Sequence, residues 1–570
     1  MPVTPSYPGI YIQELPSSTH TITAAPTSIA VFIGYTHPFL TLNPGKAIEI
    51  FSFTDYEREF GGFFTSNAFD SGTSKALFGS VANAVNQFFL NGGSDAYVIG
   101  LTPKYNDPTK PGSQPIEIEA ATHTIGGIVF KALQPTDTVD LTVTIVPNAS
   151  NAAIADITIF YGSQIETYRG VTVTFNQADN RNFIENRIGT ATNHISSLVT
   201  VTPSVTQQQG QPSHNDYGTA FTPATSAPLT YPPNANPTNN ANWTVFNSAD
   251  FTLGTPTAPA IFDQDSELDK LPIFNLLVLP GIVNPFILSE ALAFCERKQA
   301  FLIMDPPFAD IADGQLKNSI YYDKVNPNSE NPIPQSTNGA LYFPYIKSTD
   351  PITGKATDSV TGQAFILPPS GTVAGIYART DLNRGVWKAP AGLETTILNT
   401  TGVVDGTGTL PDGRLTNSQQ GVLNLVGINC LRTFPGVGTV VYGARTLVGY
   451  DQPTETPFQQ WKYVPVRRMA LFIEQTLLQN LGWVVFEPND EPLWAAIRLS
   501  IGNFMLSLFK QGALQGSTPS QAFQVKCDSS TTTSDDQNRG IVNIIVAFAP
   551  LKPAEFVIVN IAQLAGQVQS

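Results

Sequence analysis

Apolar positions recur at helical spacing in two stretches toward the C-terminal end. In 465–481, Val466, Met469, Ala470, Ile473, Leu477 and Leu478 fall on one face and Arg467, Arg468, Glu474, Gln475 and Gln479 on the other, which predicts an amphipathic helix. Pro465 suits its first turn, where the missing N–H costs no intrahelical bond, and Gly482 ends it. Asn489 or Asp490 then offers an N-cap for a second helix, whose stripe is Leu493, Trp494, Ile497, Ile501, Phe504, Met505 and Leu508. Between them, Trp483-Val-Val-Phe486 reads as a short strand. Beyond a polar turn at 528–537, the segments 541–549 and 555–561 read as strands, kept apart by Pro550 and Pro553, which a central ladder would not tolerate.

The same reading applied from the beginning gives an extended arm, since Pro2, Pro5, Pro8 and Pro16 prevent a helix while Gly9-Ile-Tyr-Ile-Gln13 suits a short strand. Residues 28–35 have the apolar density of a core strand, 48–56 a strand running into a helix, 74–90 a helix stopped by Asn91-Gly92-Gly93, and 95–100 a buried strand. Strand, helix and strand return at 272–279, 285–297 and 300–304. Between these parts the composition shifts to Thr, Asn, Pro and Gln: 126–133, 139–146 and 170–175 read as strands, 179–198 as a helix, and 201–245 as an irregular stretch. The segment 371–378 is the turn into a helix and 401–416 a loop.

Composition narrows the function. Charged residues make up 13% of the 570 and sum to a net charge of −15, which speaks against the basic stripe that nucleic-acid binding needs. Cys295, Cys430 and Cys527 are isolated and suggest no disulfide framework. Neither Gly45-Lys46 nor Gly354-Lys355 completes a P-loop, no Gly-x-Ser-x-Gly elbow occurs, and the five histidines lack zinc-ligand spacing. No cofactor, metal or catalytic residue is therefore expected, nor an 18-residue apolar span for stable membrane insertion. Asp305 ends a strand where a metal or ribose ligand could sit, but Pro306-Pro307 and the missing glycine fingerprint favour a structural role.

Seven stretches, in order, resemble those of contractile tail sheath proteins, found in phage tails and related bacterial contractile injection systems. They are Tyr7-Pro-Gly-Ile-Tyr-Ile-Gln-Glu14, residues 88–93 with 97–99, Gly339-Ala-Leu-Tyr-Phe-Pro-Tyr345, residues 368–381, residues 384–391, Gly443-Ala-Arg-Thr446 and residues 549–556. The resemblance implies a multidomain α/β and α+β fold: an arm at 1–27, an α/β sheath domain from 28–100 and 252–400, a β-rich inserted outer domain at 101–251, an inner domain at 401–530, and terminal strands and an arm at 531–570. It implies a structural subunit that polymerises helically around an inner tube protein and contracts to drive that tube through a target envelope. Baseplate and terminal cap proteins, and a recycling ATPase, would be its other partners, and assembly would start in the bacterial cytoplasm.

By the same resemblance Gly9, Ile10, Tyr11, Ile12 and Gln13 would exchange strands with Ile541, Ile544, Val546, Phe556, Val557 and Ile558 of neighbouring copies. Arg379, Asp381, Arg384, Lys388 and Arg445 are assigned to a structural charge network, and Arg467, Arg468, Glu474 and Gln475 to the face toward the tube. Two other classes compete: a polysaccharide-binding multidomain protein, and an enzyme with its site among the aromatic residues of 338–391.

Overall fold

The computed structural model describes residues 20–37, 40–63, 80–101, parts of 104–251, 260–307, 320–329, 332–351, 354–356, 365–404, 415–451 and 459–560. Residues 1–19, with Gly9, Ile10, Tyr11, Ile12 and Gln13, lie outside the described residues.

The chain opens with β1 (Ala30–Tyr35), β2 (Ala47–Ile50), α1 (Phe53–Phe60), α2 (Ser80–Leu90) and β3 (Ala96–Leu101). Residues 104–251 follow with β4 (Ile128–Ala132), β5 (Leu141–Asn148), β6 (Asn151–Tyr161), β7 (Gln164–Thr172) and β8 (Val199–Pro203). Next come β9 (Leu276–Val278), α3 (Pro285–Lys298), β10 (Phe301–Met304), α4 (Ile320–Val325), β11 (Gly339–Phe343) and α5 (Ser370–Arg384). The last part holds α6 (Asn417–Leu425), β12 (Ile428–Phe434), β13 (Gly438–Val441), α7 (Val464–Asn480), α8 (Glu491–Lys510), β14 (Phe523–Lys526) and β15 (Ile545–Phe548).

Eight strands form the main sheet in the order β2-β3-β1-β9-β10-β11-β12-β13. The six from β3 to β12 run parallel, and β2 and β13 close the edges antiparallel. All six residues of β1 and all four of β10 are buried, the continuous apolar pattern of parallel strands covered on both faces. On one side α2 and α5 cross with their backbones close: a Cβ at Gly371 would meet the Cα of Ala84 at 2.5 Å, and one at Gly375 the carbonyl oxygen of Phe88 at 2.5 Å. These glycines lie inside α5, which begins at Ser370, so 371–378 is helix rather than the turn before it. Asp305 fixes that start, accepting hydrogen bonds from Gly281 N at 2.8 Å and from Ser370 N and Oγ at 2.7 Å each. Its role is structural, although burial pushes its carboxyl up to about 6.

The strands of 104–251 build their own apolar cluster, with β5, β6 and β7 antiparallel and β4 paired antiparallel to β8. The helix expected at 179–198 shrinks to one turn, Ile184–Arg187. After it, Gly189–Thr190 pairs with Asn193–His194, and Ser196 and Ser197 donate hydroxyl hydrogens to Glu166 on β7. Those side-chain bonds and the β-branched threonines outcompete helix propagation. The loop expected at 401–416 contains the strand Gly402–Val404, which buries Val403 and Val404 and pairs with Tyr345–Lys347.

Lys324 on α4 is buried, with its ammonium donating to Leu447 O at 2.7 Å and lying 5.2 Å from the Tyr450 ring. Burial lowers its pKa to about 7, so between about pH 7 and the unfolded value near 10.5 the unfolded chain holds more protons. Stability should therefore rise from pH 7 to 9 and be lower below pH 7. Lys324→Met should flatten that rise and stabilise the chain at pH 6 by about 1–3 kcal/mol. Thermal melts at pH 6, 7, 8 and 9 read both effects.

Candidate assembly interface

The two C-terminal helices form as their periodicity predicts. In α7, Pro465 occupies the first turn and Met469, Phe472 and Ile473 meet Ile497, Ile501, Phe504 and Met505 of α8 in one apolar cluster, with the Phe472 and Phe504 rings 6.0 Å apart. Asp490 caps α8 by accepting from Glu491 N at 2.7 Å, while Asn489 accepts from Trp494 Nε1 at 2.9 Å. The expected strand at 483–486 is corrected. Gly482–Val484 is a single 3-10 turn and Phe486 sits at φ +72°, so the connection reverses direction within a few residues and cannot extend.

The polar face of α7 is not open to a tube along its length. Arg468 and Gln475, seven residues apart and hence on one side, are both buried. Arg468 donates to both carboxylate oxygens of Asp381 on α5, at 2.6 and 2.9 Å, and to Thr27 O. Gln475 donates to Phe274 O and accepts from Asn275 Nδ2 at 2.7 Å. Arg467 donates to Asn338 at 3.0 Å and reaches Glu474 at 3.4 Å, leaving Glu474 and the exposed Leu478 on the open side. Residues 20–27 run along the same helix: Thr23 and Asn480 exchange two hydrogen bonds of 2.9 Å, Thr476 accepts from Ala25 N, and His20 stacks on Trp483.

The expected charge network divides into separate contacts. Asp381 pairs with Arg468, Arg384 with the exposed Glu394 at 2.9 Å, Arg379 donates to Thr396 O, and Lys388 to Ala389 O and Ala391 O. Arg445 is fully buried and holds the C-terminal arm. Its Nε and one terminal nitrogen donate to the two oxygens of Glu555 at 2.8 and 2.7 Å, and the other terminal nitrogen lies 2.8 Å from Asp451. Asn424 and Tyr463 also donate to Glu555, at 2.9 and 3.2 Å. Burial pushes the Glu555 carboxyl up, but the bonds from Arg445 and Asn424 outweigh it and hold it below the usual glutamate value. The clasp thus stays ionised until pH falls below the ordinary carboxylate range.

Strands β14 and β15 pair antiparallel, Phe523 opposite Phe548 and Val525 opposite Val546, and this side packs on the α7–α8 cluster. The ladder begins at Ile545, later than expected. Ile541 N donates to Asp536 O, Ile541 O accepts from Asn489, and Asn543 N donates to Thr532, so 541–544 serve the preceding turn. The strand expected at 555–561 has no ladder partner among the described residues. Phe556, Val557, Ile558 and Val559 are instead 70–83% exposed. Burying each such side chain stabilises by about 1.5–3 kcal/mol, so an extended apolar run in water is a surface that calls for a partner.

Between this arm, α6, residues 442–444 and residues 387–392 lies a cleft of about 990 Å³ lined by Trp387, Lys388, Arg432, Tyr442, Lys552 and Glu555, among others. Glu555 and the cleft were missed by periodicity, though the glutamate inside an apolar stretch was a visible signal. Of the aromatic residues of 338–391, Trp387 lines this cleft, whereas Tyr342, Phe343, Tyr345 and Tyr377 are buried away from it, and the Tyr342 and Tyr377 hydroxyls bond each other at 2.6 Å. Among the described residues no group of three His, Cys, Asp or Glu side chains could hold a metal ion. The three thiols are buried, and burial raises Cys430 to about 12, far from a reactive thiolate.

Comparison with known proteins places this geometry. Residues 273–447 match the phage tail sheath protein central domain, and residues 456–563 the phage tail sheath C-terminal domain. The tail sheath protein of Vibrio phage KVP40 is 24% identical over 196 residues, 34% of this chain and 26% of that protein. That of Burkholderia phage BcepMu is 28% identical over 176 residues, 31% of this chain and 33% of that protein. The aligned segments thus span about a quarter and a third of these relatives. In fold, the chain is similar to the helical sheath of the anti-feeding prophage in the contracted state, with a TM-score of 0.52, 21% identity and coverage of 98% of this chain and 100% of that one. It is likewise similar to the contracted PVC sheath of an extracellular contractile injection system, with a TM-score of 0.52, 20% identity and 98% of both chains covered. The chain thus carries matches to both phage tail sheath domains in order, on a fold similar to that of contractile sheaths along its length.

Proposed function

We propose that this chain is the structural subunit of a contractile sheath, assembling helically around an inner tube and shortening to drive that tube through a target envelope. The observation that carries the reading is the bare apolar arm at 556–559, anchored at Glu555 and extending beyond a two-stranded sheet. Two strands are marginal alone, and added strands from neighbouring copies would complete the ladder. Since 20–27 are held on their own α7, the part of the N-terminal arm left for a neighbour is 1–19, with Gly9 to Gln13 as its strand. Arms of this kind keep copies joined while the sheet domain rotates between two lattices. A structural polymer needs no catalytic centre. The tube contact falls to the open side of α7, with Arg467 and Glu474; baseplate and cap proteins would bind the ends, and a recycling ATPase the contracted form. The particle belongs to a phage tail or a released injection device, assembled in the cytoplasm.

Negative-stain microscopy of purified protein, alone and with its tube partner, tests the reading: striated tubes are expected, and monomers under both conditions would overturn it. Replacing 102–250 with a short linker should leave tube formation intact, because those strands bury their own apolar cluster. Loss of all polymer from a soluble, folded deletion variant would show that the insertion makes lattice contacts.

A further inference from the structure

We propose that the turn between α7 and α8 of one copy docks into the cleft beneath the C-terminal arm of the next. This rests on the sheath reading and adds to it a contact independent of strand exchange.

At the tip of the turn Val485 is 62% and Phe486 102% exposed, and Phe486 holds a left-handed backbone at φ +72°. For a bulky non-glycine residue that conformation is strained, and no described residue covers the ring to offset it. The exposed Glu487 and Asp490 follow the tip in sequence, and Glu491 beside them pairs with Arg498, so the knob is apolar and next to it stand two acidic residues with no ion pair among the described residues. The cleft is the converse. Trp387 and Tyr442 line it, together with Lys388, Arg432 and Lys552, and none of these cations has a carboxylate within ion-pair distance among the described residues. On a chain of net charge −15 this is a local excess of positive charge, and Glu555 in its wall is already taken by Arg445.

Position decides that the occupant is a second copy. Tyr463, just ahead of α7, and Gly512, just past α8, both line the cleft, so it sits at one end of the helix pair and the knob at the other. The helices have 17 and 20 residues, which separates the two by about 25–30 Å. No copy can fill its own cleft. A knob and a socket at opposite ends make a head-to-tail contact, which builds a ring or an open helix rather than a two-fold dimer, and the sheath reading selects the helix.

The test incorporates p-benzoylphenylalanine at position 486 of the full-length chain, irradiates assembled tubes and maps the cross-linked peptides. Cross-links should join position 486 to the segments around Trp387, Tyr442 or Lys552 of another copy; cross-links only to the tube protein or to another face would overturn the proposal. Phe486→Gly separates docking from folding, because glycine adopts the left-handed backbone freely. Its melting temperature should be equal or higher while tube yield falls at least tenfold. Glu487→Lys and Lys552→Glu should each reduce assembly and together restore it. Tubes from Phe486→Gly at the parent yield would sink the docking and leave the sheath reading standing, whereas absence of tubes from the parent chain would sink both.

Discussion

Asp381→Ala is expected to destabilise the chain by about 3–5 kcal/mol, the range for breaking a buried ion pair by removing one partner. Both side chains are almost fully buried, 3% exposed for Arg468 and 2% for Asp381. The guanidinium would keep only Thr27 O and the face of the Tyr377 ring, 4.7 Å away, to replace two charge-assisted bonds. The pair also joins α5, on the parallel sheet, to α7, in the C-terminal helix cluster, so its loss should uncouple the two as well as lower stability. Urea unfolding followed by tryptophan fluorescence should show one transition for the parent and a separate, earlier one for the variant. Arg468→Met with Asp381→Leu should recover most of the loss, since replacing both partners leaves no stranded charge. A single alanine variant within about 0.5 kcal/mol of the parent would contradict this account.

Local pattern carried far where one rule acted alone. Helices α3, α7 and α8 stand close to their expected positions because Asn284, Pro465 and Asp490 mark their beginnings and their stripes bury against single clusters. The pattern could separate the apolar from the polar side of α7, but not tell that the polar side is buried too. That depends on Thr27 and Asp381, 441 and 87 residues away from Arg468, and on Asn275, 200 away from Gln475. The charge network divides for the same reason: four of its members lie within 379–388, yet Asp381 pairs with Arg468 across 87 residues and Arg445 with Glu555 across 110. Trp483 to Phe486 has strand-forming residues but too little length to span between two helices packed against each other, and the turn prevailed. At 371–378 the glycines suggested a turn, whereas their cause is the approach of α2, which only the packed fold reveals.

Removing residues 556–570 should leave a folded monomer that forms no ordered tubes. The cut falls after Glu555, so the clasp with Arg445, the main sheet and the α7–α8 cluster all remain, and the four lost side chains at 556–559 are exposed in the single chain. Little change in stability follows, within about 0.5 kcal/mol for surface residues. What disappears is the strand that would enter a neighbour's β14–β15 ladder, together with roughly 1.5–3 kcal/mol for each apolar side chain buried there. Removing 1–19 should act alike, since the hydrogen bonds of Thr23 and Ala25 to α7 are kept. Circular dichroism and thermal melting would report the fold, and negative-stain microscopy the polymer. Mixing the two truncated chains sharpens the result: exchange between copies needs both arms at every repeat, so the mixture should give short complexes and no tubes. Tubes of parent length and striation from either truncation, or from the mixture, would show that the arms do not hold the lattice together.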